Sequence, residues 1–116
     1  MDTDSLQLRA EVYVDAFGRI PFEKWKRDLA VGDRARVERR IERLELGNWG
    51  DWRSVGDGVV ELRIHYGPGC RIYIGRNGFQ TVILLGGGEK RTQESDIRLT
   101  KERWADFRRR SREALG

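Results

Sequence analysis

Hydrophobic positions recur along the chain with two different periods, and these periods predict strands and helices in turn. Apolar residues that alternate with polar ones predict a strand, whereas apolar residues three and four positions apart predict one face of a helix. Glycine-rich turns and an Asn-Gly pair separate these segments. In chain order, the predicted elements are a strand over Glu11–Ala16, helices over Pro21–Ala30 and Arg34–Leu46, strands over Val59–Tyr66, Cys70–Gly75 and Phe79–Gly86, and a helix from Thr92 or Ser95 to about Arg112.

This order, β-α-α-β-β-β-α, predicts a small α+β domain. The two early helices are expected to pack on one face of a sheet whose last three strands form an antiparallel meander. The stretch TVILL, residues 81–85, is apolar at consecutive positions and therefore predicts a central strand that is covered on both faces. A chain of 116 residues suits one domain spanning residues 1–116.

The stretch VVELRIHYGPGCRIYIG, residues 59–75, predicts two strands around a tight turn, and its two faces differ in kind. Leu62 and Ile64, followed by Ile72 and Ile74, give one strand face an apolar surface and are expected to form the core. The other face carries the candidate functional residues Glu61, Arg63, His65, Arg71 and Tyr73.

Lys90 leaves the last predicted strand after three glycines and extends this polar face. Glycines at such a point can let backbone N–H groups approach an anion. The segment GGGEKRT is nevertheless not a Walker A loop, because glutamate rather than glycine precedes the lysine. Nucleotide hydrolysis is therefore excluded, and a patch of arginine, lysine, carboxylate and imidazole is expected.

Such a patch suits metal-independent cleavage of RNA. Arg63, Arg71 and Lys90 can stabilise charge on the phosphoryl oxygens. Glu61 or His65 can take the proton of the attacking 2′-hydroxyl, and a lysine or imidazolium can protonate the leaving oxygen. A purely structural interpretation is also open, in which Glu61 and Arg63 are ion-paired strand neighbours and His65 is a partly exposed strand residue.

Composition narrows the classes of function. The chain has 23 Lys and Arg against 19 Asp and Glu, a net charge of +4, which is compatible with a polyanionic partner. One cysteine, Cys70, and one histidine exclude a disulfide within the chain and a Cys- or His-rich metal site, so no metal or cofactor is expected. The N-terminus MDTDSLQLRA is acidic and polar, unlike a signal peptide, which predicts a cytoplasmic protein without a membrane partner.

Two further features allow either of two interpretations. Trp49 and Trp52 lie in the stretch NWGDWRSVGDGV, which is predicted to be a loop, and they can stack on bases or cap the core beside the sheet. The basic segment FRRRSR near the C-terminus can contact RNA or an acidic protein, or it can be a solvated helix end.

Two segments resemble the RelE/ParE superfamily of toxins from toxin–antitoxin systems. They are GNWGDWRSVGDGVVELRIHYGPGCRIYI, residues 47–74, and VILLGGGEKRTQESDI, residues 82–97. More narrowly, they resemble the addiction module killer proteins, close to HigB-like and related phage toxins. The similar region extends from about Tyr13 to Thr100.

The resemblance implies a RelE-like fold, a twisted antiparallel sheet packed by two N-terminal helices and a C-terminal helix. It implies a toxin that cleaves mRNA at the ribosome, with basic residues of the sheet face at Arg63, Arg71 and Lys90. The implied partners are a cognate helix-turn-helix antitoxin, mRNA with the ribosome, and operator DNA only through the antitoxin. A ParE-like inhibitor of DNA gyrase, which needs no catalytic site, is the alternative, and an inactive relative that binds only antitoxin or operator is a third. Glu61 stands where ribosome-dependent relatives usually carry lysine.

Overall fold

A computed structural model describes residues 7–115, so the acidic N-terminal residues 1–6 and the absence of a signal peptide predicted from them lie outside the described part. The chain forms an α+β fold with one five-stranded sheet. The strands are β1 (Arg9–Val12), β2 (Trp52–Gly56), β3 (Val59–Arg63), β4 (Arg71–Asn77) and β5 (Thr81–Gly88), and the helices are α1 (Pro21–Arg27), α2 (Val31–Glu45) and α3 (Gln93–Leu115), with a 3₁₀ turn over Lys90–Thr92 before α3.

The strand order in the sheet is β1-β5-β4-β3-β2. Strands β2 to β5 form an antiparallel meander, whereas β1 pairs with β5 in parallel. The predicted antiparallel arrangement is therefore correct for the meander and wrong for β1. The chain leaves β1 at one edge, passes through α1 and α2, and re-enters at the opposite edge, so that β1 can run alongside β5 in the same direction.

The stretch predicted as a Trp-rich loop contains strand β2. Asp57 and Gly58 connect β2 to β3 and both have positive φ, 57° and 84°. This is the geometry of a two-residue hairpin turn, for which Asp-Gly is a favoured sequence. The sequence prediction overlooked this pair because the surrounding glycines and tryptophans gave the whole stretch the composition of a loop.

Other element boundaries differ from the predictions in smaller ways. Strand β1 ends at Val12 and not at Ala16. Helix α2 begins at Val31, before the predicted start at Arg34, with Ala30 at its N-cap and Asp33 in its first turn. Helix α1 begins at Pro21, as predicted, but ends at Arg27 and not at Ala30. Helix α3 runs from Gln93 to Leu115 and so extends past the predicted end at about Arg112.

The sheet separates two hydrophobic clusters. One cluster joins the early helices to the sheet, and it includes Leu62, Ile72 and Ile74, which were predicted to form the core. The other lies between the sheet and α3 and is built from Tyr13, Val59, Tyr73, Ile83, Leu85 and Trp104. Strand β5 contributes to both clusters and lies between β1 and β4, which confirms the predicted central strand. Among residues 7–115, no helix has the length and apolar content needed to cross a bilayer.

Helix α3 approaches the sheet closely because Gly75 has no side chain. A Cβ atom at Gly75 would lie 2.3 Å from Cε3 of Trp104. We expect Gly75→Ala to lower the free energy of unfolding by about 1–3 kcal/mol, because the added methyl overpacks this contact. Urea denaturation measures the loss. The same change in a Trp104→Ala background should cost clearly less, and equal costs in the two backgrounds would contradict this packing.

Candidate functional site

Three of the residues predicted from the sequence meet at one end of the sheet. Arg63, the last residue of β3, pairs directly with Arg71, the first residue of β4. Lys90 follows β5, and its backbone N–H donates to the carbonyl oxygen of Pro68 in the intervening turn, at 3.4 Å. These side chains line an open pocket of about 600 Å³, which we call the sheet-end pocket; its lining residues are Arg53, Arg63, His65, Tyr66, Gly67, Gly69, Arg71, Lys90 and Gln93.

Arg53 belongs to this pocket and was missed from the sequence. It lies on β2, directly across from Glu61 in the β2–β3 register. Because the sequence predicted a loop here, the alternation of side chains along a strand was not used to place Arg53 on the same face as Glu61. The Asp-Gly hairpin pair after β2 was the signal that could have found it.

Glu61 lies beneath the pocket and has no exposed surface. Its Oε1 accepts hydrogen bonds from Nε of Arg53 and Nε of Arg63, each at 3.0 Å. Its Oε2 accepts from the Tyr73 hydroxyl at 3.1 Å and from the Gln93 amide at 2.7 Å. The ion pair between Glu61 and Arg63 agrees with the structural interpretation left open by the sequence, and it places the carboxylate under the arginines and not among the exposed groups.

The protonation of Glu61 follows from these contacts. Burial by itself raises the pKa of the carboxyl group, but the donated hydrogen bonds, led by that from Gln93, outweigh burial and hold the pKa below its ordinary value. Burial and the neighbouring Glu61 carboxylate in turn raise the pKa of the Tyr73 hydroxyl, which therefore stays protonated as a donor. The carboxylate of Glu61 is therefore ionised, and both of its oxygens accept hydrogen bonds from the protein. It is placed to hold the arginines in position and not to contact a substrate.

Arg71 is the most deeply buried cation of the pocket. Its Nη1 donates to the Gly69 carbonyl at 3.2 Å, while its Nε lies 4.0 Å from Oε2 of Glu61. Within residues 7–115, this Nε is the only buried side-chain nitrogen or oxygen that has no hydrogen-bond partner. An unpaired buried donor is unfavourable, and the nearby Glu61 carboxylate offsets part of this cost through the longer ion pair.

His65 is exposed at the rim, where it contacts an acidic residue that the sequence did not suggest. Its Nε2 lies within hydrogen-bonding distance of Oδ2 of Asp51, which precedes β2. The hydrogen bond with His65 is the main reason that the pKa of Asp51 lies below its ordinary value. A carboxylate paired with one ring nitrogen fixes the orientation of the imidazole, and the ring of His65 is thereby held at the edge of the sheet-end pocket.

A second basic pocket adjoins the first. This α2-side pocket has a volume of about 560 Å³ and includes Arg36, Arg39 and Arg43 of α2. It shares Arg63 and His65 with the sheet-end pocket, so the two form one continuous basic groove. Arg40 is different in role, since it is buried and donates to the carbonyl oxygens of Trp49 and Asp51 that precede β2.

The glycines before Lys90 do not form the anion cradle expected from the sequence. Gly86, Gly87 and Gly88 are paired with β4 as part of strand β5. A Cβ at Gly87 would lie 2.3 Å from Trp25, and one at Gly88 would lie 1.8 Å from Asp96. Side chains of the protein itself occupy the space in front of these glycines, which therefore permit close packing of the helices and not the approach of a ligand.

The two tryptophans and the basic C-terminal segment do not line the sheet-end pocket. Trp49 packs partly buried against the cluster under the early helices, whereas Trp52 is half-exposed. Near the C-terminus, Arg110 donates to the Val14 carbonyl at 2.5 Å and to Asp106 at 3.0 Å. This part of the segment is bound to the chain just after β1, away from the sheet-end pocket.

A larger cleft, of about 820 Å³, contains none of the candidate residues. It lies between the β1–α1 connection and α3, where Asp15, Glu23 and Asp106 alternate with Arg19 and Arg103. Its mixed charge lacks the cationic excess of the groove, so we place the candidate site in the groove. Among the described residues, no group of three His, Cys, Asp or Glu side chains is arranged to hold a metal ion.

Comparison with known proteins gives one close relative in sequence. An uncharacterized protein of Haemophilus influenzae is 43% identical to this chain over 83 residues, which cover 71% of this chain and 84% of that protein. The chain matches no protein-family model. The similarity extends over most of both chains.

Proposed function

The chain belongs to the same family as the uncharacterized Haemophilus influenzae protein, and we propose that it is the toxin of a type II toxin–antitoxin system, of the RelE/ParE type. Its activity is that of a metal-independent mRNA endoribonuclease that acts with the ribosome and stops translation. The observation that carries the proposal is the sheet-end pocket, where Arg53, Arg63, Arg71 and Lys90 surround an open space with His65 at its rim.

The charge arrangement supports an RNA phosphate as the ligand. Arginine forks match phosphate oxygens in pairs, and lysine adds a mobile point charge. Glu61 compensates part of the arginine charge from below, while Lys90 and the neighbouring α2-side pocket leave the groove cationic. Extended basic grooves of this kind follow a nucleic acid backbone.

The proposed reaction is an in-line attack within the RNA. The 2′-hydroxyl oxygen forms a bond to the adjacent phosphorus, and the bond from phosphorus to the 5′-oxygen breaks, which leaves a 2′,3′-cyclic phosphate and a 5′-hydroxyl. His65, oriented by Asp51, takes the 2′-hydroxyl proton, and the Lys90 ammonium gives a proton to the departing 5′-oxygen. Arg63 and Arg71 stabilise the additional negative charge on the phosphoryl oxygens.

Glu61 has a different role in this proposal from the base suggested by the sequence. Its carboxylate has no exposed surface, both oxygens accept hydrogen bonds, and its pKa is lowered. It is therefore a positioning residue that fixes the arginines with their remaining N–H groups toward the pocket. Of the two candidate bases, His65 is the one that a substrate can reach.

The proposed partners follow from the same assignment. A cognate helix-turn-helix antitoxin would neutralise the toxin and connect it to operator DNA, while mRNA and the ribosome are the targets in the cytoplasm. A small helix-turn-helix reading frame beside the gene is expected. The competing assignment is a ParE-like inhibitor of DNA gyrase with the same fold and no catalytic site.

Induced expression without an antitoxin separates the two activities. We expect growth to stop and incorporation of labelled amino acids to fall before DNA synthesis changes, because cleavage of mRNA removes the template for translation. Pulse labelling of protein and DNA in the same culture measures the order. An early fall in DNA synthesis together with DNA damage signalling would favour gyrase inhibition, and undisturbed growth at high expression would favour an inactive relative.

A further inference from the structure

Tyr66 presents an aromatic ring at the junction of the two basic pockets. The residue is 59% exposed and lines the sheet-end pocket. The guanidinium carbon of Arg36, which lines the α2-side pocket, lies 3.3 Å from the ring centroid. An exposed tyrosine stacked on one side by arginine thus lies between two groups of cations.

The backbone holds this ring on an ordered turn. The Tyr66 carbonyl accepts from the N–H of Gly69 at 3.0 Å, which closes the turn Tyr66–Gly67–Pro68–Gly69. Gly67 and Gly69 have φ of 55° and 72°, a region that glycine adopts without strain. The Pro68 carbonyl accepts from the backbone N–H of Lys90, so the same turn that presents the ring is bonded to the segment that carries Lys90.

Arg36 is held in turn from helix α2. Its Nη1 lies 3.5 Å from Oδ1 of Asp33, one helical turn earlier. The guanidinium group is therefore restrained over one side of the Tyr66 ring, where a cation–π contact is favourable. The exposed surface of the ring remains available to a planar group.

We propose that the Tyr66 ring stacks on an unpaired base of single-stranded RNA whose phosphates occupy the two pockets on either side. This inference rests on the proposed function and deepens it, because it specifies that the RNA substrate is single-stranded where it binds. A base can reach an aromatic ring in this way only when it is unstacked and unpaired. Stacking on an aromatic ring tolerates any base, so Tyr66 selects single strands and not a particular sequence.

The test measures the binding of two probes to the purified protein by fluorescence anisotropy. One probe is a short oligouridylate, and the other is an abasic ribose-phosphate strand of equal length and charge. We expect the wild-type protein to bind the oligouridylate at least about fivefold more tightly, and Tyr66→Ala to abolish this preference without weakening binding to the abasic strand. Tyr66→Phe should keep the preference because it keeps the ring, and the salt dependence of binding should stay unchanged because no charge is lost.

Phe79→Ala is the matched control. Phe79 is 90% exposed in the β4–β5 hairpin, at the far end of β4 from Arg71, and we expect its removal to leave both affinities unchanged. Equal affinities of wild type and Tyr66→Ala for the oligouridylate, with weaker binding in Lys90→Ala, would overturn the stacking role and leave the proposed phosphate site standing. Failure of the wild-type protein to bind either probe would overturn the stacking role, whereas the proposed function is decided separately by mRNA cleavage in a translation extract.

Discussion

Glu61→Ala is expected to destabilise the protein more than removal of any other single charge of the groove. Without the carboxylate, the guanidinium groups of Arg53, Arg63 and Arg71 repel one another, and the Tyr73 hydroxyl and Gln93 amide lose their acceptor. Removing one partner of a buried ion pair costs several kcal/mol, and the partial exposure of Arg53 and Arg63 reduces the effect to about 2–4 kcal/mol. Denaturant unfolding of the two proteins at neutral pH measures this difference.

Glu61→Gln and the pH dependence separate the charge from the shape of the side chain. Because the folded protein holds the pKa of Glu61 below its unfolded value, the ionised carboxylate stabilises the fold at neutral pH. This contribution falls as the pH decreases through the lowered pKa. The stability difference between wild type and Glu61→Gln should therefore shrink once the pH drops below about 4. A difference that is constant from neutral to strongly acidic pH would show that Glu61 stabilises only by packing.

Lys90→Ala should abolish toxicity while leaving the fold intact. The side chain is exposed at the sheet-end pocket, so its truncation leaves no cavity and removes no buried contact. In the proposed reaction it removes both a charge near the phosphate and the proton donor for the leaving oxygen. We expect the rate of mRNA cleavage in a translation extract to fall about a hundredfold or more. Growth after induction provides the same comparison in cells.

Arg91→Ala provides the matched control for Lys90→Ala. Arg91 is the next residue, its side chain is 84% exposed, it pairs with Glu89, and it does not line the sheet-end pocket. It carries the same charge, so a general loss of affinity for polyanions would affect both variants equally. Full toxicity of Lys90→Ala, or equal losses in the two variants, would remove Lys90 from the catalytic assignment.

The alternation of side chains along the two strands of the hairpin was enough to predict several features of the site. Because side chains alternate across a strand, the sequence alone placed Glu61 and Arg63 on one face and Leu62 on the other. The Gly-Pro-Gly turn then placed Arg71 and Tyr73 opposite that row in a register that the sequence left open, and the structure pairs Arg71 directly with Arg63. These features are local, since they depend on neighbouring residues and one tight turn.

Features that depend on long-range contacts could not be predicted in this way. Gln93 reaches the Glu61 carboxylate from α3, 32 residues further along the chain. The glycines after Leu85 looked suited to an anion, but Trp25, which is distant in sequence, and Asp96 of α3 occupy that space. The pairing of His65 with Asp51 likewise requires the turn after β3 to meet the segment before β2.

The sequence by itself determined the α+β class, the central strand TVILL and the cationic face of the hairpin, because periodicity and turn chemistry act over a few residues. Only the tertiary structure decided what Glu61 can do. The same carboxylate on an open strand face would be a candidate base, yet helix α3 covers it and supplies Gln93, so that it becomes a buried anion beneath the arginines. Burial and hydrogen-bond partners arise from elements far apart in the chain, and they decide whether a charged side chain supports a site or takes part in its chemistry.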